Sequence, residues 1–113
     1  MLKKKYRLRK TKEFERVYQE GKGVKVGFVA LKFVKTELPN SRFGIIVSKK
    51  TANKAVKRNK IKRRLREAIR KHLSEIKDGF DIVIFAQPEI CDKDFAQIEE
   101  CLLKNLKKAN LLK

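Results

Sequence analysis

Hydrophobic residues recur at helical spacing in three separate segments of the chain. The first lies around Phe14 to Tyr18, the second runs from Ile61 to Leu73, and the third runs from Phe95 to Ala109. A stripe of this period lets one side of a helix pack on a core while the other side meets solvent. The pattern therefore predicts three amphipathic helices, with Asp92 or Asp94 as the cap of the third.

Three other segments are short and rich in β-branched and aromatic residues, which predicts strands. Residues 24–34 predict one or two strands, residues 43–47 (FGIIV) a short central strand that forms an antiparallel hairpin with them, and residues 80–86 (FDIVIFA) another buried strand. We therefore expect a single α+β domain, an α-β-β-β-α-β-α sandwich with one mainly antiparallel sheet packed by helices. The second helix joins two strands as a β-α-β unit, for which a right-handed crossover is the general expectation.

The net charge of +18 narrows the class of partner. Lys and Arg number 31 against 13 Asp and Glu in 113 residues, and such a field makes sense chiefly beside a polyanion. No apolar run approaches the roughly 20 residues of a membrane-spanning helix, and none follows the basic N-terminus as in a secretory signal. We expect one cytoplasmic nucleic-acid-binding domain over residues 1–113, with residues 1–10 as a flexible basic arm and Cys91 and Cys101 as free thiols.

The second predicted helix carries the densest charge. Eight of the 14 residues at 54–67 are basic, although one side of the helix is apolar. At about 100° per residue, one set of cations borders the apolar stripe: Arg58, Lys62, Arg66 and Arg70. Another set points further outward: Lys60, Arg63, Arg64 and Lys71. Like charges at this spacing destabilise an isolated helix, so we expect this face to meet RNA.

Two aromatic residues of the first helix have two possible roles. Phe14 and Tyr18 are equally compatible with core packing and with stacking on unpaired bases in a groove between that helix and the sheet. Basic residues would rim such a groove on several sides: Arg7, Arg9, Lys12, Lys49 and Lys50.

The sequence offers no catalytic constellation. His72 is the only histidine and is expected to be a border or packing residue, Ser48 and Ser74 have no adjacent base, and the acids do not cluster as a two-metal site requires. The chain alone is therefore not expected to be catalytic.

Two motifs together resemble a known family. The tripeptide SKK at 48–50 and the segment KRNKIKRRLRE at 57–67 resemble the RNR motif of the protein subunit of bacterial ribonuclease P. The segment RLRKTKEFERVYQEGK at 7–22 and the FDIVIFA strand before a terminal helix resemble that family too, so the similarity spans essentially the whole chain.

This resemblance implies a fold and a function. The fold is like the second domain of a small-subunit ribosomal protein, with a rare left-handed β-α-β crossover in place of the right-handed one. The function is that of a ribonucleoprotein subunit, which binds the catalytic RNA and the 5′ leader of precursor tRNA while the RNA removes the leader. Mg²⁺ is held mainly by the RNA. No organic cofactor, membrane or DNA partner is expected, and the resemblance assigns no metal ligands in this chain.

The charge pattern and the resemblance together give two sets of candidate residues. The RNA-binding set is Lys49, Lys50, Lys54, Lys57, Arg58, Asn59, Lys60, Lys62, Arg63, Arg66 and Arg70. The leader-binding cleft is Arg9, Lys12, Phe14, Tyr18 and Leu31, with Leu31 where some members carry an aromatic residue. Lys60 stands where arginine is common, so it keeps the charge and loses the planar fork that grips phosphate at two points.

The alternative is a structural RNA-binding protein of the ribosome, which would have the same composition. A DNA-binding regulator is disfavoured because no helix-turn-helix with an exposed recognition helix is evident. An autonomous nuclease is disfavoured because the chain lacks a catalytic constellation.

Overall fold

The computed structural model describes residues 2–113 as one mixed four-stranded sheet with helices on both faces. In chain order the elements are α1 (Thr11–Glu20), β1 (Lys22–Val26), β2 (Val29–Lys35), β3 (Arg42–Ile46), α2 (Ala55–Lys71), β4 (Phe80–Ala86) and α3 (Phe95–Lys108). Short 3-10 turns lie at Lys4–Tyr6, Leu73–Glu75 and Pro88–Asp92. The predicted order of helices and strands is confirmed, and Asp94 is the cap of α3, since its side chain accepts from the Gln97 N–H at 2.9 Å.

The strand order is β1-β2-β4-β3, which confirms a mainly antiparallel sheet and corrects two details. β1 pairs with β2 as the hairpin, and β4 is the strand with which β3 pairs, in parallel. The prediction that β3 is central and forms a hairpin with the strand before it is wrong. β4 is buried at five of its seven positions, and β3 at only two of five, so the more apolar strand takes the inner place. α2 connects these adjacent parallel strands, and the left-handed crossover that the resemblance implies stays a prediction.

The N-terminal segment covers the outer edge of β3. The Leu8 N–H donates to the Phe43 carbonyl at 2.9 Å, and Arg7 forms a parallel bridge with Phe43. Leu2 and Leu8 are buried, while Lys3 to Lys5 are exposed. Covering an edge in this way satisfies backbone groups that would otherwise be open to pairing. Residues 2–8 thus pack on the domain, where the sequence suggests a flexible arm at 1–10. Residue 1 lies outside the described part, and mobility in solution stays a prediction.

The two faces of the sheet pack against different helices. α2 and α3 cover one face, where Ile82 and Ile84 of β4 join the main core. α1 lies on the other face, where Val17 packs with Val83 and partly with Phe85. Alternate residues of a strand point to opposite faces, so one apolar strand serves both layers. α1 is short, and it leaves part of its face uncovered.

A buried ion-pair network fixes the start of α1 on the sheet. The Arg42 guanidinium grips Asp81 at two points, 2.9 and 2.7 Å long, and also donates to Glu13. The other oxygen of Glu13 accepts from the backbone N–H groups of Arg9 and Lys10, each at 3.0 Å. Partial burial would raise the pKa of Glu13, but these N–H groups and Arg42 outweigh it and hold that pKa below its ordinary value. One carboxylate therefore ties the first turn of α1 to β3.

Gly44 of β3 lets α1 approach closely. A Cβ atom placed on Gly44 would lie 2.4 Å from Cε1 of Phe14 and 3.3 Å from Cβ of Leu8. The Phe14 ring thus occupies the space of a missing side chain. Phe14 serves packing in this position.

We predict that Gly44→Ala destabilises the domain by about 1–3 kcal/mol, because the new methyl group must displace the Phe14 ring. Gly23→Ala is the matched control, since its nearest neighbour would lie at an ordinary 3.5 Å. Chemical denaturation of both variants measures the difference. Equal stability of the two variants would contradict the packing of Phe14 on Gly44.

His72 links the end of α2 to α3. Its side chain is only 18% exposed, its Nε2 lies 2.8 Å from Glu99 Oε2, and its Nδ1 pairs with Glu75. Lys71 also pairs with Glu99, at 3.0 Å. The border position predicted for His72 is confirmed. The hydrogen bond with Glu75 raises the pKa of His72; burial opposes this, and Glu99 adds to the increase.

A pH dependence of stability follows from His72. Since its folded-state pKa is raised, its contribution is fully present below the ordinary histidine pKa and is lost as pH rises through the raised value. We expect the free energy of unfolding to fall as the pH rises from the ordinary histidine pKa to the raised value. The substitution His72→Gln should make this fall smaller. Denaturation curves at several pH values measure this. An unchanged slope in His72→Gln would show that another group titrates, because the chain has one histidine.

Candidate functional site

The uncovered part of the α1 face forms a cleft at the C-terminal end of β4. One opening of about 530 Å³ lies between Tyr18, the β1–β2 hairpin and Phe85. A second opening of about 320 Å³ lies between Phe85 and the loop that carries Ser48 and Lys50. Both openings border Phe85 and Gln87. We call this continuous surface the cleft.

Two aromatic rings meet in the cleft. Tyr18 is 40% exposed, and its ring centroid lies 6.0 Å from that of Phe85 at an interplanar angle of 34°. Phe85 is half-buried, and two neighbouring rings that both border an opening can stack on unpaired bases. The structure thus separates the two predicted aromatic residues, because Tyr18 faces the cleft and Phe14 packs over Gly44.

Leu31 borders the first opening, but its side chain packs into the core, and its role in leader binding stays a prediction. It is 1% exposed and lies in the main core under α2 and α3. Its neighbours Ala30 and Lys32 point the other way, and Ala30 pairs with Phe85 across the sheet. Phe85 is an aromatic residue that the sheet itself brings to the cleft. It escapes prediction from the sequence because β4 is apolar on both faces, which hides the alternation.

Lysine side chains surround the rings. Lys25 and Lys32 line the first opening, and Lys50 lines the second. Lys32 Nζ also donates to the Tyr18 carbonyl at 2.9 Å, which ties the last turns of α1 to β2. Arg9 and Lys12 are exposed at the start of α1 and line neither opening.

The loop between β3 and α2 is held from three sides. Thr51 donates through its hydroxyl to the Ala86 carbonyl at 2.9 Å, and Cys91 donates to the Thr51 carbonyl at 3.0 Å. Arg58 Nη1 donates to the carbonyls of Ala52 and Asn53 at 3.0 and 3.1 Å. Arg58 therefore bonds to this loop, which presents Lys49 and Lys50 to solvent.

The apolar stripe of α2 is confirmed, with Ile61, Leu65, Ala68 and Ile69 all buried. The predicted RNA-binding residues that are exposed on α2 and its cap are Lys54, Lys57, Asn59, Lys60, Arg63 and Arg70. Lys62 and Arg66 are half-buried at the border. Burial, and then the nearby positive charge of Arg7, lower the pKa of Arg66.

Arg64, which the sequence predicts to point outward, is half-buried instead, and its Nη1 donates to the Lys93 carbonyl just before α3 at 3.1 Å. Lys71 is exposed as expected and pairs with Glu99 of α3. Arg70 is exposed and pairs with Glu67 at 3.0 Å. The free outward charge of α2 is therefore concentrated toward its N-terminal half.

The described residues offer many cationic and aromatic side chains that can bind a polyanion. Within 2–113 there is no group of three or more His, Cys, Asp or Glu side chains placed to hold a metal ion. None of the helices in that range is both long and apolar enough to cross a membrane. The arrangement can hold an extended polyanion by its phosphates along α2 and its unpaired bases in the cleft.

The chain is similar to known proteins over nearly its whole length. A family model described as Ribonuclease P matches residues 2–110. A ribonuclease P protein component of Syntrophomonas wolfei is 38% identical over 111 residues, covering 98% of this chain and 92% of that protein. One of Bacillus cereus is 39% identical, covering 97% and 96%.

Solved structures give the same result. The RNase P protein of Staphylococcus aureus superposes with a TM-score of 0.88 at 36% identity, covering 96% of this chain and 98% of that one. That of Thermotoga maritima gives 0.83 at 36% identity, covering 90% and 96%.

We predict that Arg58→Gln loosens the loop before α2. Loss of the two bonds to the Ala52 and Asn53 carbonyls should speed hydrogen exchange at the Thr51 and Ala52 amides, which bond to the Ser48 carbonyl, by about tenfold. Arg63→Gln removes the same charge from an exposed position and is the control. If both variants exchange like the unaltered chain, Arg58 does not hold the loop.

Proposed function

This chain belongs to the ribonuclease P protein family, and on that premise we propose that it binds the catalytic RNA of ribonuclease P and the 5′ leader of precursor tRNA. In this role it assists RNA-catalysed removal of the leader and so the maturation of tRNA 5′ ends. The observation that carries the proposal is the cleft: the exposed ring of Tyr18 and the half-buried ring of Phe85, flanked by lysines, lie on the same domain as a cationic helix.

The cleft suits single-stranded RNA better than a duplex. Stacking on aromatic rings needs a free base face, and lysines neutralise phosphates without regard to sequence. A leader is single-stranded RNA with both features. A duplex would offer its phosphates to α2 and would keep its base faces from the rings.

The exposed cations of α2 suit a large folded RNA. They are held on a rigid helix by a buried apolar stripe, so their spacing is fixed. Each phosphate neutralised in this way releases counterions, and binding should weaken steeply with salt.

Mg²⁺ is assigned to the RNA in this proposal. The described part of the chain shows no cluster of metal-ligating side chains, and its contribution is binding and neutralisation of charge around the RNA. We also propose a cytoplasmic location, where precursor tRNA is processed. The ribosomal alternative is not adopted, since the family match covers residues 2–110.

The proposal predicts that the protein stimulates a bacterial ribonuclease P RNA at low Mg²⁺, measured as removal of the leader from precursor tRNA. The protein's cations should replace part of the neutralisation that Mg²⁺ supplies at high concentration. No stimulation at any protein concentration would contradict the proposed function.

The leader contact has its own test. Tyr18→Ala should weaken binding of a long-leader precursor by about fivefold to a hundredfold and leave a precursor with a single leader nucleotide unaffected. Leu38→Ala, an exposed apolar residue away from the cleft, is the control. Equal losses for both precursors would place Tyr18 outside the leader contact.

A further inference from the structure

Glu13 is an acidic residue at the start of α1, in a domain whose proposed partner is a polyanion. One oxygen of its carboxylate accepts from the backbone N–H groups of Arg9 and Lys10, each at 3.0 Å, and the other accepts from the Arg42 guanidinium. Its side chain is 19% exposed. Glu13 lines neither opening of the cleft, so any effect that it has on the cleft must pass through α1.

We propose that Glu13 is a positioning residue for leader binding, which holds α1 so that the Tyr18 ring lies beside Phe85. This inference rests on the proposed function and adds to it a residue outside the cleft. Its sign is opposite to that of simple electrostatics. By charge alone an acid weakens the binding of an anionic ligand, whereas in this role the acid strengthens it.

α1 depends on the sheet for its placement. It has ten residues, and an isolated helix shorter than about 12–15 residues is marginal in water. Within these ten residues, all of which the structure describes, Val17 alone is buried. Glu13 and Tyr18 are five residues apart, about 7.5 Å along the helix axis. A tilt of the helix at Glu13 therefore carries the Tyr18 ring away from Phe85.

The bond from Arg42 is the best protected of the side-chain bonds between α1 and the sheet. It is part-buried, and Arg42 is itself fixed by two bonds to Asp81, which is 1% exposed. Two other side-chain bonds, between α1 and β2, are exposed to solvent, where interactions of charged groups contribute little. Glu13 therefore joins α1 to a cation that the sheet already holds in place.

The substitution Glu13→Gln separates this bond from the helix cap. The amide keeps the size of the carboxyl group, and its oxygen can still accept from the Arg9 and Lys10 N–H groups. Its NH2 group then faces the Arg42 guanidinium, so two donors meet and the bond is lost. Glu15→Gln is the matched control, because Glu15 is an exposed residue of the same helix and its substitution makes the same change of net charge.

The test measures the dissociation constants of reconstituted holoenzyme for a long-leader precursor tRNA and for a precursor with a single leader nucleotide. Glu13→Gln should weaken the long-leader precursor by about threefold to tenfold, a part of what stacking on one base supplies, and leave the other unchanged. Glu15→Gln should bind both as tightly as the unaltered protein or more tightly. A long-leader affinity in Glu13→Gln as high as in Glu15→Gln overturns the inference, and so does an equal loss for the two precursors.

Two further measurements separate positioning from a general loss of stability. In a Tyr18→Ala background, Glu13→Gln should cause no further loss of long-leader affinity, because its effect passes through Tyr18; additive losses overturn the inference. In the free protein, Glu13→Gln should weaken the nuclear Overhauser contacts between the Tyr18 and Phe85 rings, whose centroids lie 6.0 Å apart. Contacts of unchanged strength also overturn it. Weakened ring contacts together with normal long-leader binding by Tyr18→Ala would instead contradict the proposed leader contact.

Discussion

The Arg42 guanidinium holds α1 against the sheet, and the cleft depends on where α1 lies. Its partner Asp81 is 1% exposed, and a charge so deeply buried is stable only when its hydrogen bonds are satisfied. Arg42 meets that need from β3 and extends it to Glu13, whose carboxylate also caps the first turn of α1. At the other end of the helix Lys32 binds the Tyr18 carbonyl. α1 is therefore anchored at both ends, and Tyr18 stands beside Phe85 as a result.

Much of the fold is predictable because the spacing of hydrophobic residues and the position of turn residues determine each helix and strand locally. The order of helices and strands, the cap at Asp94 and the buried stripe of α2 all follow from spacing alone. The position of β3 does not, because pairing depends on competition between strands for the inner place. Phe85 is missed for a similar reason: β4 is apolar on both faces, so the sequence gives no sign of which of its residues face the cleft. Arg58 and Arg64 bond to backbone carbonyls, which no side-chain pattern reveals.

The acidic residues show how so cationic a domain stays folded. Several of the 13 acids take part in internal contacts, among them Glu13 and Asp81 with Arg42, and Glu99 with His72 and Lys71. These contacts offset charge repulsion at the joints between elements. The outer face of α2 has few acids, so its field is directed at a partner, where it speeds encounter and strengthens with falling salt.

β3 joins the two binding surfaces and sets their relation. Its outer edge binds the N-terminal segment through Phe43, its Gly44 lies under α1, and the loop that follows it is bonded to both β4 and α2 through Thr51 and Arg58. A strand held at so many points cannot shift without moving both the cleft and the start of α2. The proposed phosphate contacts along α2 and base contacts in the cleft would therefore be made at a fixed separation. The two kinds of contact also differ in physical character, since phosphate neutralisation weakens with salt and stacking depends on it far less. In the proposed function, charge would supply most of the affinity for RNA in general, and the cleft would decide which single-stranded segment is held.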